Sequence, residues 1–115
     1  MEIRFRNNYR STVSVAVMFY SPQACGGEYG NWGTRGWWVI DPGQTKHAIN
    51  TNNRYVCFYA EATDGTVWTG AYGPIYVYRD AFDSCINIGS TAAIGRVGTR
   101  QVDTGGNDTT INLNP

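Results

Sequence analysis

Thr12-Val13-Ser14-Val15-Ala16-Val17-Met18-Phe19-Tyr20 is the stretch that decides the fold. Val13, Val15, Val17 and Phe19 recur at period two, the repeat of a strand with one buried face. Residues 54–62 repeat this pattern, with Val56, Phe58 and Ala60 opposite Tyr55, Cys57, Tyr59 and Glu61. Apolar character on both faces marks a central strand.

Working outward, residues 2–7 alternate Ile3 and Phe5 with Glu2, Arg4 and Arg6. Residues 7–11 (Asn-Asn-Tyr-Arg-Ser) read as a hairpin loop. Residues 21–34 hold a Pro and four Gly and read as a long loop, a length typical of binding loops. Residues 35–40 form a short aromatic strand and 41–44, Asp-Pro-Gly-Gln, a turn. Residues 44–50 return as a strand, and Thr51-Asn52-Asn53 turns again. Asp64-Gly65 signals a tight hairpin into 66–70. Residues 75–78 and 92–103 are further strand segments, and 79–85 is expected to hold one helical turn. Gly105-Gly106-Asn107-Asp108 reads as a hairpin turn before the closing strand 109–113, with Ile111 and Leu113 inward.

Composition agrees with this pattern. Val and Ile total 17 residues against a single Leu, with 12 Thr and eight Tyr. β-branched and aromatic residues fit a pleated surface and lose χ1 freedom in a helix. The 14 Gly and ten Asn serve turns. The expectation is one all-β domain over residues 1–115, an antiparallel β-sandwich of eight or nine short strands, with a small β-barrel as the alternative.

Charge narrows the function classes. Nine Lys and Arg balance nine Asp and Glu, which argues against a nucleic-acid partner held by phosphate neutralisation. No apolar run approaches the ~20 residues of a transmembrane helix. Glu2, Arg4, Arg6 and Arg10 interrupt any signal-peptide core, so the chain either stays where it is made or has had a leader exchanged for a start Met.

Catalytic signals are weak. His47 is the only histidine and no nucleophile elbow occurs. Asp41, Glu61, Asp64, Asp80 and Asp83 fall mostly in turns, where a carboxylate caps backbone N–H groups. The reading is therefore not an enzyme, with no cofactor. His- or Cys-rich metal sites lack the residues to form, and Asp103, Asn107 and Asp108 read as turn chemistry rather than a calcium loop. Of the three cysteines, Cys57 lies in a strand and is expected to be buried and unpaired. Cys25 and Cys85 lie in loop-like surroundings, either bridged or both free.

The aromatics carry the functional signal. Trp37 and Trp38 are adjacent on a strand and must project to opposite faces. One enters the core; the other lies exposed or beneath the 21–34 loop. The candidate ligand site is Tyr29, Trp32, Arg35, Trp37, Trp38, Asp64 and Trp68. Flat indoles stack on sugar rings and anchor partner surfaces. The expected function is a non-catalytic recognition module for carbohydrate or another surface ligand such as a protein. The alternative is a self-assembling homo-oligomer whose aromatic patch is an interface, and a weaker third is a small toxin or membrane-surface binder.

The run Gly36-Trp37-Trp38-Val39-Ile40-Asp41-Pro42-Gly43-Gln44 resembles a motif of the bacterial domain-of-unknown-function family numbered one thousand and thirty-six. The resemblance extends through Phe58-Tyr59-Ala60-Glu61-Ala62 and Val67-Trp68-Thr69-Gly70 to Phe82 and Cys85. Two places that hold Cys in that family hold Thr45 and Tyr76 here. The resemblance implies a secreted or envelope-associated protein and assigns no enzymatic residue.

Overall fold

A computed structural model describes residues 1–89 and 93–115. The strands are β1 (Glu2–Asn7), β2 (Val13–Tyr20), β3 (Trp32–Ile40), β4 (Thr45–Asn50), β5 (Tyr55–Ala62), β6 (Val67–Trp68), β7 (Tyr72–Tyr78), β8 (Phe82–Cys85), β9 (Ala93–Asp103) and β10 (Thr109–Leu113). The only helical element among the described residues is a 3-10 turn at Gly27–Tyr29. No helix there is long and apolar enough to cross a membrane.

The all-β expectation holds. A three-stranded sheet, β10-β1-β4, faces a seven-stranded antiparallel sheet ordered β7-β9-β5-β2-β3-β8, with β6 pairing β5. The large sheet curls until its ends approach, so the sandwich carries a nearly closed barrel on one side. Within the small sheet β1 and β10 run parallel, Ile3 opposite Thr109 through Asn7 opposite Leu113.

Two cores follow from the two faces of β2 and β5. Val13, Val15, Val17, Val56, Phe58 and Ala60 pack on Ile3, Phe5, Ile49, Ile111 and Leu113 of the small sheet. The Phe5 and Phe58 rings meet edge to face at 5.4 Å. On the reverse face, Ala16, Met18 and Cys57 lie beneath Ile75 and Val77 of β7. Strand β9 makes the second core possible. Its last residues pair with β5 and its earlier ones with β7. Gly98 sits where a Cβ would fall 2.1 Å from the Gly70 carbonyl oxygen, so only glycine lets the chain cross there.

Several expectations are corrected. Residues 7–11 and 105–108 are not hairpins; β1 and β2 lie in different sheets, as do β9 and β10, so both segments are corners of the sandwich. Asn7, fully buried, holds the first corner by donating from Nδ2 to the carbonyls of Ser11 and Ile40, at 2.8 and 2.9 Å. The helical turn within 79–85 is absent: Phe82–Cys85 is an edge strand, its backbone pairing with Gly33–Gly36 of β3. The 21–34 loop is shorter than read, because β3 begins at Trp32. Ala92, where the last long strand was expected to begin, lies outside the described residues. Ten strands lie among the described residues, close to the eight or nine expected.

Cys25 and Cys85 form a disulfide across 60 residues, tying the loop after β2 to β8. Cys57 is free and buried.

Candidate functional site

Trp37, half-buried, lines two surface depressions. Between Val15 and Ala16 the register with β3 slips by one: Val15 faces Trp38 and Ala16 faces Gly36. Trp37 is the extra residue of that bulge, and bulges re-aim side chains. Its indole joins the second core, while Trp38 packs against the first. The adjacent pair therefore serves opposite faces.

The Trp37 ring meets Phe82 edge-on at 5.7 Å and Tyr59 at 6.2 Å. Its Nε1 donates to the Tyr78 carbonyl at 2.7 Å. Cover on this face thus comes from Tyr78 and Phe82 at the β7–β8 junction. It does not come from the 21–34 loop, none of whose residues lines the depressions beside Trp37.

Two shallow depressions flank the indole. One, about 460 Å³, is bounded by Trp37, Val39, Glu61, Tyr78, Arg79 and Ile94. Val39 and Ile94 are 49 % and 63 % exposed. The other, about 370 Å³, runs over the edge of β3 beyond the end of β8 and gathers Arg35, Trp37, Trp38, Phe82 and Asp83. Arg35 is bound to Asp83 at 3.1 Å, one charge neutralising the other. Tyr59 lies under this surface and donates to Glu61 at 3.1 Å. Burial, then the Glu61 charge, pushes its phenol up to about 12, so it stays a neutral donor.

Arg35, Trp37 and Trp38 are thus brought together. The other expected site residues lie elsewhere. Trp68 is buried in the first core, its ring edge-on to Tyr9 at 5.3 Å and its Nε1 donating to Asn114 O. Asp64 accepts from Tyr9 Oη at 2.6 Å and from Thr66 N at 3.0 Å, which lowers its carboxyl to about 2. Both tie the β5–β6 hairpin to the first corner. Trp32 sits at the opposite end of β3, edge-on to Tyr20 at 5.5 Å, with exposed Tyr29 in the nearby 3-10 turn.

Val39, Tyr78, Phe82 and Ile94 were not expected at the site. Val39 carried a signal, since it follows Trp37 at strand spacing. Phe82 reaches it by pairing with Gly36 on the β3–β8 ladder, and Tyr78 and Ile94 through the curl of the large sheet.

The weaker candidates take ordinary structural roles. His47 Nε2 lies 3.1 Å from Asn50 Oδ1 on an exposed face. Asp103 is held by Arg54 at 2.9 and 2.7 Å, and Asp108 accepts from the Glu2 N–H.

No family model matches this chain, and no curated protein or solved structure matches it.

Proposed function

We propose that this domain is a non-catalytic recognition module, holding a carbohydrate or another surface ligand against the aromatic surface around Trp37. The observation that carries the reading is the patch formed by Trp37 with exposed Val39 and Ile94, rimmed by the charges of Glu61 and Arg79. An apolar patch with a polar rim is the ordinary form of a recognition surface. A sugar ring offers an indole its C–H face and offers the rim its hydroxyls; an amphipathic protein surface offers the same pairing. The Cys25–Cys85 bridge supports the secreted or envelope-associated location implied by the family resemblance, because disulfides persist in oxidising compartments.

The test is a glycan array and a protein pull-down, each run with the wild type and with Val39→Glu/Ile94→Glu. Both side chains are exposed, so the variant keeps its fold. Ligand retained by the wild type and lost by the variant supports the reading. Equal retention by both removes the patch from recognition.

Self-assembly is the second reading, favoured by one observation. β8 pairs with the Gly33–Gly36 part of β3, and among the described residues the rest of that edge has no strand partner. An open edge beside an apolar patch is an association surface. Gel filtration over a concentration series separates the two: a dimer that the same variant converts to monomer is self-assembly.

A further inference from the structure

A second concavity lies at the other end of the large sheet. It is a cleft of about 500 Å³ between the chain leaving β2 and the β4–β5 turn. Its chemistry differs from that of the Trp37 face. Phe19 and Tyr20 form one wall, and the carboxamides of Gln23, Asn50, Asn52 and Asn53 surround the mouth. No lining side chain carries a formal charge; Met1 also lines the cleft, and its ammonium donates to the Thr51 carbonyl at 2.9 Å.

The four amides divide into two pairs. Asn53 Oδ1 accepts from the Tyr55 N–H at 2.9 Å, and Asn50 Oδ1 lies 3.1 Å from His47 Nε2. These two hold the wall. Gln23 and Asn52 are exposed and make no side-chain hydrogen bond among the described residues. Tyr20 lines the cleft, 41 % exposed, and its ring meets that of Trp32, which does not line it, at 5.5 Å and 69°.

Both rims are anchored. Ser21 N donates to Asn31 O and Cys25 N to Ser21 O, each at 2.8 Å, and Cys25 is bridged to Cys85. Across the cleft, Asn53 N donates to Thr51 Oγ1 at 3.2 Å. A site held this way loses little conformational freedom when it binds.

We propose that this cleft binds a neutral oligosaccharide, with a sugar ring stacked on Tyr20 and its hydroxyls bonded by Gln23 and Asn52. A carboxamide offers donor and acceptor side by side, as do two vicinal hydroxyls. An anion would leave the amide oxygens unmatched, and a cation the amide N–H groups. No side chain in the wall carries a charge, so ion binding would rest on the Met1 ammonium alone, which already donates to the Thr51 carbonyl. Trp32 acts through Tyr20 and is a positioning residue. The proposal does not rest on the reading of the Trp37 face. Tyr20 and Ser14, which lines the Trp37 depression, lie six residues apart on β2, about 20 Å at strand rise.

The experiment is an amide-resolved NMR titration of the whole chain. The probes are cellohexaose, maltohexaose, mannohexaose and triacetylchitotriose, with a heparin hexasaccharide as charged control. At least one neutral saccharide should shift the Gln23 and Asn52 side-chain amides. Tyr20→Ala and Gln23→Ala/Asn52→Ala should each raise its Kd at least tenfold, while Val39→Glu leaves it unchanged. Trp32→Phe, which keeps a ring against Tyr20, should bind more tightly than Trp32→Ala. Shifts from heparin alone, shifts confined to residues around Trp37, or no shift from any neutral saccharide would overturn the proposal. Failure here with binding at Trp37 intact leaves the previous reading standing.

Discussion

The Trp37 indole nitrogen donates to the Tyr78 carbonyl at 2.7 Å, so β3 and β7, which share no ladder, are joined by one side chain. This contact fastens the curled sheet where its two ends approach. Trp37→Phe keeps an aromatic ring but removes the donor, leaving a half-buried carbonyl without its partner. The expected loss is about 1–2 kcal/mol in urea denaturation. A variant as stable as the wild type would show that packing alone holds the sheet ends together.

Asp64 links stability to acid. Its carboxyl is lowered to about 2, first by the Tyr9 hydroxyl and then by the Thr66 N–H. An unfolded Asp titrates near 3.9, so the unfolded chain takes up the proton first as pH falls. The stabilisation is fully present above about pH 4 and is lost progressively towards pH 2. Asp64→Asn should flatten the fall of Tm between pH 4 and pH 2. Parallel Tm curves for the two proteins would show that the carboxylate contributes nothing to the folded state.

Cys57 is fully buried on β5 beneath β7, and burial pushes its thiol upward. Reactivity needs an exposed thiolate, and this site supplies neither exposure nor a depressed pKa. A chromogenic disulfide reagent should release no colour from the native protein and one equivalent after denaturation. Rapid labelling of the native protein would contradict the packing of β7 over this face.

The Cys25–Cys85 bridge closes a span of 60 residues. Loop-closure entropy for that span corresponds to about 4 kcal/mol of destabilisation of the unfolded chain. Cys25→Ser/Cys85→Ser should therefore lower stability by roughly 2–5 kcal/mol in denaturant titrations. β8 and the rim carrying Gln23 should become the fastest-exchanging amides near the cleft. A change below 1 kcal/mol would mean that the reduced chain already holds these segments together.

The strands were legible wherever alternation was strong. Val13, Val15 and Val17 declare the first core, and the two apolar faces of β5 mark it as central, but the second core beneath β7 follows only from the path of β9 and β7 in the fold. Asn7–Asn8 and Gly105–Gly106 resisted reading because turn chemistry is local. The same Asn and Gly geometry serves a hairpin or a corner, and only the packing of distant strands decides which sheet the chain enters next. Phe82–Cys85 has neither alternation nor length; pairing with Gly33–Gly36 and the bridge to Cys25 make it a strand. At the candidate site, the opposed faces of Trp37 and Trp38 follow from adjacency. Nearness in sequence groups Trp68 with them. Across the sheet, however, Trp38 faces Val15, Val15 faces Ala60, and Ala60 faces Trp68, so two strands stand between the indoles.

The parallel pairing of β1 with β10 has a mechanical consequence. From Ile3 opposite Thr109 to Asn7 opposite Leu113, the two strands run the same way, so β1 is entered at one end of the ladder and β10 is left at the other. Tension applied through the two flanks of the domain acts along the strands in opposite directions. It must shear the whole ladder at once rather than peel it open one hydrogen bond at a time. Pulled that way, the domain resists as a clasp rather than a zip.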